Sequence, residues 1–305
     1  MSSERLRSEA VTTVDRASTQ VHMYARRVSS WSAAQKEFGY FSDNWIFRGQ
    51  RDSSWGLRCS LDRKRGTTDP VHAELDLKDE FSHRAHLYLS NWREPETTLE
   101  WIALIQHHGG PTRLIDFTRS TAVAAFFALE EEEEVITGWS AVWAVDELAC
   151  HRRAVKRLRS IDPEFAWLQD NHNIEEAVDA RLGARPPKRF VAPVRPSRVN
   201  ARMAVQQGVS VCLGDPGSDF FSNLSSEVEG EEPLPVVKVE FPRSERGRAL
   251  WKLRQTGISR ETLFPGLDGL AQSLEHLLIP RDLHREALLN VLERPSGWPG
   301  PDKEE

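Results

Sequence analysis

Cysteine is scarce in this chain of 305 residues. The three cysteines, Cys59, Cys150 and Cys212, lie far apart and show no paired spacing. This pattern excludes a disulfide framework and a cysteine zinc site, and it favours buried free thiols in a reducing cytoplasm. His83 and His86 are three residues apart, but no set of carboxylates or cysteines accompanies them, so the sequence predicts no metal ion.

Long apolar runs are missing as well. No stretch approaches the roughly 20 apolar residues of a membrane span, and the N-terminus lacks the apolar core of a signal peptide. We therefore expect a cytoplasmic protein without a membrane partner. Positive charge does not dominate either, because 40 Lys and Arg face 46 Asp and Glu for a net charge of −6. A protein that is basic all over and binds nucleic acid is excluded, although a local basic patch is not.

The composition is that of a globular protein, with 39% hydrophobic and 28% charged residues. We expect an α+β (or mixed α/β) fold, a single compact domain whose mixed central sheet is surrounded by helices. An N-terminal helical extension at 1–40 precedes the main domain at 41–280, and a helix end with a disordered tail occupies 281–305. The periodicity predicts helices over Val21–Phe38, Ala73–Trp92, Thr98–Ile105, Ala122–Leu129 and Arg248–Thr256, and strands over Trp45–Phe47, Gly56–Leu61, Leu114–Ile115, Trp139–Val145 and Val236–Phe241.

Functional groups are densest between Gln106 and Thr118. This stretch holds two histidines, a Gly-Gly-Pro turn, an arginine and an aspartate between two helical segments. A loop that only connects two helices does not need so many functional groups, so this stretch is the first candidate site. His107 is either a general acid or base, or a helix-end histidine that bonds a free carbonyl.

A second candidate group follows the apolar strand at Trp45. Arg48 stands at the strand end, where its guanidinium can fork onto a phosphate, or form a structural ion pair with Asp116. Gly49 and Gln50 come next. The glycine is expected to let the backbone turn and a ligand approach.

Other polar residues complete the candidate set, each with a structural alternative. Arg113 and Asp116 can pair across the short strand and orient the site. Thr112 and Thr118 either donate to a ligand or cap the turn and the next helix. Further along, Arg202, Gln206 and Gln207 either bind a ribose or base edge or form a polar helix face.

Four segments in this order resemble the FRG domain family, over Asp43 to about Leu278. They are Phe47–Gln50 with the following Ser-Trp, Gln106–Thr118, Arg202–Gly208 and Gly257–Leu270. The chain departs from the family where Phe117 replaces a tryptophan and where Val209 replaces an aromatic residue. The resemblance implies, by association with mobile and defence-associated bacterial genes, a toxin or an antiphage effector.

The same segments are similar, over shorter stretches, to ADP-ribosyltransferases, which implies NAD as cofactor. In that resemblance the catalytic residues are Arg48, His107, Asp116 and Gln207, and the cofactor-binding residues are Arg48, Gly49, Gln50, Thr112, Arg113, Thr118, Arg202 and Gln206. The acceptor is a nucleic acid or a protein. An obvious catalytic glutamate is missing, since Glu74 and Glu240 are expected at the surface. The alternative is a non-catalytic module that binds nucleic acid or a phage component through the basic stretches His151–Arg159 and Arg185–Arg202.

Overall fold

The architecture is a seven-stranded sheet with packed helices. The computed structural model describes residues 21–63, 69–88, 94–130, 137–169, 174–195, 201–224 and 234–274. Within these ranges the helices and the mixed sheet confirm the predicted α+β class. No helix in the described ranges is long and apolar enough to cross a membrane.

The strand order brings distant parts of the chain together. The strands are β1 Val21–Arg27, β2 Trp45–Gln50, β3 Leu114–Thr118, β4 Trp139–Asp146, β5 Val191–Val194, β6 Gly208–Leu213 and β7 Leu234–Pro242. They are arranged as β1-β7-β4-β2-β3-β6-β5. β1 is parallel to β7, and the other neighbouring pairs are antiparallel. The two strands nearest the candidate motifs, β2 and β3, are therefore central.

The helices pack around this sheet. They are α1 Trp31–Phe38, α2 Ser60–Arg63, α3 Pro70–Ala85, α4 Thr98–His107, α5 Thr121–Leu129, α6 Glu147–Ile161, α7 Glu175–Asp179, α8 Ala201–Val205, α9 Phe220–Leu224, α10 Arg246–Gln255, α11 Arg260–Leu263 and α12 Leu267–Ser273. Predicted boundaries are confirmed where capping fixes them. The hydroxyls of Thr97 and Ser120 accept from the backbone at the starts of α4 and α5, and Gly257, with φ 80°, follows the end of α10.

Three predicted elements are wrong. Residues 21–27 are not helical, because they pair in parallel with β7, and the helix begins only at Trp31 after its Ser30 cap. The predicted strand over Gly56–Leu61 is irregular up to Cys59 and then becomes α2. The stretch after Arg185 is rich in proline and charge and is therefore expected to form a surface loop, but it contains β5, which pairs with the antiparallel strand β6.

Some expectations stay predictions. The division of the chain at residues 40 and 280 is one of them, while α1 packs in the same apolar core as α5 and β7. Residues 1–20 of the predicted N-terminal extension and the predicted disordered tail over 281–305 lie outside the described residues. α3 ends at Ala85, and the end predicted for it at Trp92 also lies outside the described residues.

Helix α5 lies directly on β2 at Gly49. A Cβ atom at this position would lie 1.8 Å from the Ala124 carbonyl oxygen and 2.7 Å from the Ala128 nitrogen. Only glycine permits this approach of helix and strand. The expected turn at Gly49 is wrong, since β2 continues through it to Gln50. The glycine therefore sets the position of α5, which follows directly on β3.

Candidate functional site

The site begins where β2 and β3 separate. The two strands share a single paired position, Phe47 opposite Thr118, whereas β2 is paired with β4 along its whole length. Beyond that pair no other position of β2 is paired with β3 among the described residues, and we call this unpaired region in the middle of the sheet the gap. Arg48 crosses it and donates from Nη1 to the backbone carbonyl of Asp116 at 2.7 Å. The expected contact between these residues exists, but it uses the Asp116 backbone and not its carboxylate.

Arg48 is an incompletely satisfied interior cation. Its Nε is buried and has no hydrogen-bond partner among the residues that the structure describes. Loss of hydration lowers the pKa of the guanidinium. The charge of Asp116 opposes this shift, and that of Arg63 adds to it. Since buried donors are nearly always paired in proteins, an acceptor from a bound anion would complete this group.

A cleft of about 350 Å³ lies beside Arg48. We call it the arginine cleft, and its lining residues are Arg48, Gly49, Gln50, Arg51, Trp55, Gly56, Arg58, Arg63 and Phe127. Four of these residues are arginines and none is acidic. The guanidinium of Arg51 lies 5.2 Å from the centroid of the Trp55 ring. The cleft therefore combines cations with an aromatic face, which suits a phosphorylated ligand with a flat ring.

A second polar group, the Asp116 cluster, consists of Gln106, His107, Asp116 and Arg202. The side-chain amide of Gln106 donates to the Asp116 carboxylate and accepts from the hydroxyl of Thr112. The buried threonine thus fixes the glutamine, which in turn orients an exposed carboxylate.

His107 is half-buried at the C-terminal end of α4. Burial lowers its pKa, and the positive charges of His108 and Arg202 lower it further, while Asp116 opposes the shift. The imidazole is therefore neutral near pH 7 and able to accept a proton. Arg202 lies on α8 with its guanidinium 4.4 Å from the centroid of the Phe264 ring. Burial lowers its pKa too, against the charge of Asp116.

The family model of the FRG domain matches residues 43–135. This chain carries an FRG domain. The match begins just before β2, extends past α5, and contains Arg48, His107 and Asp116. Arg202 and the two glutamines before β6 lie outside it. Searches of the curated proteins and of the solved structures gave no match.

One arginine of the FRG domain, Arg113, has a structural role. The side chain of Arg113 is fully buried, and its Nε and backbone nitrogen both donate to Glu74. Nη2 donates to the Leu182 carbonyl at 2.8 Å and Nη1 to the Gly214 carbonyl at 3.2 Å. The expected pairing of Arg113 with Asp116 is wrong, because Glu74, expected at the surface, is 1% exposed and takes that place.

Other candidate residues hold backbone segments in place. The Gln50 side chain accepts from the Trp143 indole at 2.7 Å and donates to the Gly56 carbonyl at 3.1 Å. The Thr118 hydroxyl donates to the Gln206 carbonyl at 2.6 Å, and the Gln206 amide donates to a carbonyl of α11 at 3.0 Å. These contacts join the start of β6 to β3. Gln207 is exposed, with φ 49°, next to the end of β3.

The glutamate and the basic stretches weighed from the sequence lie elsewhere. Glu240, expected to be exposed, is 8% exposed and forms ion pairs with Arg27 at 2.8 Å and with Lys238 at 2.7 Å on β7. In the basic stretches, Arg153 donates to a carbonyl of α9 and Arg195 pairs with α6. Several of these cations are therefore used within the fold.

Sequence reasoning missed most of the arginine cleft. The candidate site predicted from the sequence omitted four residues of the cleft, Arg51, Arg58, Arg63 and Phe127. It also did not identify Gln106 as the residue that orients Asp116. The available signal was four arginines within 16 residues, from Arg48 to Arg63, around an exposed tryptophan.

Proposed function

We propose that this protein is an enzyme that binds NAD across the gap between β2 and β3 and cleaves the bond between nicotinamide and ribose. The observation that carries the proposal is Arg48, which lies at the edge of a cationic cleft. Its buried Nε has no hydrogen-bond partner in the part of the chain that the structure describes. The diphosphate of a dinucleotide would supply the missing acceptor, since arginine binds phosphate oxygens strongly.

The sheet order supports this proposal. The segments that resemble ADP-ribosyltransferases are Arg48–Gly49, Asp116–Thr118 and Gln206–Gly208. In the sequence they span about 160 residues, but in the fold they belong to the neighbouring strands β2, β3 and β6. A single ligand over the gap is within reach of all three.

The chemistry follows from the charges of the Asp116 cluster. When the bond at C1′ of the nicotinamide ribose breaks, its electron pair leaves with neutral nicotinamide, and positive charge develops on the sugar. The Asp116 carboxylate would stabilise that charge, and Gln207 would bind a ribose hydroxyl. The acceptor atom then bonds to C1′, and neutral His107 takes the proton that the acceptor loses.

In the biological setting, we propose that the enzyme is a toxin or an antiphage defence effector. The support is the presence of the FRG domain together with the association stated above for that family. The acceptor is water, a protein or a nucleic acid.

Calorimetric titration with NAD, together with a nicotinamide-release assay, tests the proposal. We expect wild-type protein to bind NAD and release nicotinamide, and Arg48→Met to do neither. Arg26→Met is the matched control, because Arg26 also lies on a strand of the sheet but pairs with Glu37 at 2.9 Å. An absence of both heat and nicotinamide with wild-type protein would refute NAD as the ligand.

A second candidate function is non-catalytic binding of single-stranded nucleic acid. The observation that favours it is the arginine cleft with Trp55, which is 42% exposed and offers a stacking surface. Strongly salt-dependent affinity for an oligonucleotide, without consumption of NAD, would select this function.

A further inference from the structure

We infer that Gln106 is a positioning residue, which holds the Asp116 carboxylate away from Arg48. The guanidinium of Arg48 thereby stays available to an anionic ligand, and the carboxylate stays available to a developing positive charge. The inference rests on the proposed function, because it concerns the same arginine and the same carboxylate. It goes further in giving a role to Gln106, which the proposed reaction does not use.

Asp116 lies close to Arg48 but does not pair with it through its carboxylate. Burial lowers the pKa of Arg48 and the charge of Asp116 opposes this shift, so the two charges are within interaction range. Arg48 nevertheless donates to the backbone carbonyl of Asp116 at 2.7 Å, and its buried Nε has no hydrogen-bond partner among the described residues. Within that part of the chain no ion pair joins the carboxylate to Arg48. The carboxylate is therefore held by another group.

A chain of hydrogen bonds holds the carboxylate instead. The backbone nitrogen of Leu114 donates to the Thr112 hydroxyl at 3.3 Å, and this hydroxyl donates to the side-chain carbonyl of Gln106. Because the oxygen of the amide is engaged in this way, its nitrogen faces Asp116 and donates to Oδ1. Each bond sets the direction of the next one. The carboxylate is thus oriented by a neutral donor although a cation is near.

The two ends of this chain are anchored by the backbone. Thr112 is fully buried, its nitrogen donates to the Ser60 hydroxyl at 2.9 Å, and its carbonyl accepts from the Leu61 nitrogen at 3.2 Å. Gln106 lies in the last turn of α4, where its carbonyl accepts from the Gly109 nitrogen at 2.9 Å. Gly109 has φ 82°, which favours glycine, and the turn it makes brings the threonine back to the glutamine.

One hydrogen bond is enough to decide the orientation of the carboxylate. Asp116 is exposed, and turning towards the buried guanidinium of Arg48 would take its charge out of water. This loss of hydration offsets much of the attraction between the two charges. The amide of Gln106 is already ordered by Thr112, so its bond to the carboxylate costs little further conformational entropy. An ion pair, in contrast, would neutralise both groups that the proposed function needs.

Crystal structures of wild-type protein and of Gln106→Leu test the inference without a ligand. We expect the Asp116 carboxylate of Gln106→Leu to turn and pair with Arg48, since leucine offers no donor. Gln255→Leu is the matched control, because Gln255 also lies at the C-terminal end of a helix, α10, and it should leave the carboxylate in place. A carboxylate that keeps its wild-type position in Gln106→Leu, or that pairs with Arg202 instead, overturns the inference.

Calorimetry with ADP, which has a diphosphate but no nicotinamide bond, measures the consequence for Arg48. We expect Gln106→Leu to bind ADP roughly tenfold more weakly than wild-type protein, because the new ion pair occupies the guanidinium. In the Asp116→Asn background the same substitution should change the affinity by less than about twofold, since no carboxylate remains to pair. Equal losses in the two backgrounds overturn the inference, because they would mean that the substitution damages the fold.

The outcomes separate the inference from the proposed function. If wild-type protein binds neither ADP nor NAD, the proposed function fails, and the position of the carboxylate in Gln106→Leu decides the inference alone. If nicotinamide is released but Gln106→Leu changes neither the carboxylate nor the affinity for ADP, the proposed function stands and the inference fails. Should Gln106→Leu fail to fold, Gln106→Glu decides, because it has the same length and its charge repels the Asp116 carboxylate.

Discussion

Arg48 and Arg113 are two interior arginines of the same FRG domain with opposite surroundings. Arg113 is fully buried, and Glu74 and two backbone carbonyls accept from its guanidinium. Among the described residues, Arg48 has one carbonyl acceptor and neighbouring cations, and its Nε has no hydrogen-bond partner. The first arrangement is complete without a ligand, and the second is not. Hydrogen-bond satisfaction, more than burial, distinguishes a structural arginine from one that binds a ligand.

The largest expected effect comes from removing the satisfied arginine. Arg113→Met leaves the Glu74 carboxylate buried without its cation, and we expect a loss of about 3–5 kcal/mol in the free energy of unfolding. Urea denaturation measures it. The double variant Glu74→Gln, Arg113→Met should recover part of the loss, because it removes the uncompensated charge. A loss below about 1 kcal/mol for Arg113→Met would contradict the structural role.

A smaller loss is expected at the glycine beside Arg48. Gly49→Ala forces a methyl group against the α5 backbone, and overpacking of this kind costs about 1–3 kcal/mol. Gly56→Ala is the control within the same cleft, since a Cβ there meets no atom within 4 Å. Denaturation midpoints should fall for position 49 only. Equal stability of the two variants would mean that α5 does not lie against β2 as described.

The unsatisfied arginine should matter little for stability. Arg48→Met removes one hydrogen bond but also a poorly hydrated cation, so we expect the free energy of unfolding to change by about 1 kcal/mol or less. Ligand binding should be lost at the same time. If urea denaturation instead shows a loss as large as that of Arg113→Met, Arg48 is structural, and the contrast between the two arginines disappears.

Local signals explain which parts of the fold could be predicted. β2, β3, α4 and α5 follow from short apolar runs, and from threonine and serine caps that act within four residues. β1 could not be predicted in this way, because its partner is β7, more than 200 residues later in the chain. The same limit applies to Glu74, since the sequence offers many acidic residues and does not show which one meets Arg113.

The candidate site likewise has residues that could be predicted from the sequence and residues that could not. Arg48, His107 and Asp116 could be selected because each stands in a dense polar motif beside an apolar strand or helix. The arginine cleft could not be assembled from sequence, because the places of Arg58 and Arg63 depend on how residues 51–61 fold back onto Thr112. The sequence also cannot show that Arg113 is satisfied and Arg48 is not, as that depends on carbonyls from distant segments.

The smallest expected effect concerns His107. It is a titratable group whose charged form, like that of Arg48, is disfavoured by burial. Burial and the charges of His108 and Arg202 lower its pKa in the folded protein. The unfolded chain therefore binds the proton first as pH falls, so His107 lowers stability as pH drops through its ordinary value near 6.5. The penalty is fully developed below the folded pKa and is absent at higher pH.

Unfolding measurements at about pH 8 and about pH 5.5 should show a shallower pH dependence for His107→Asn than for wild-type protein. His108→Asn should give an intermediate slope, since it removes one of the charges that lower the pKa. Exposed His83→Asn is the control and should match wild type. An unchanged slope for His107→Asn would mean that this histidine does not resist protonation. The Asp116 cluster would then hold a base of ordinary pKa, and the contrast between Arg48 and Arg113 would be unaffected.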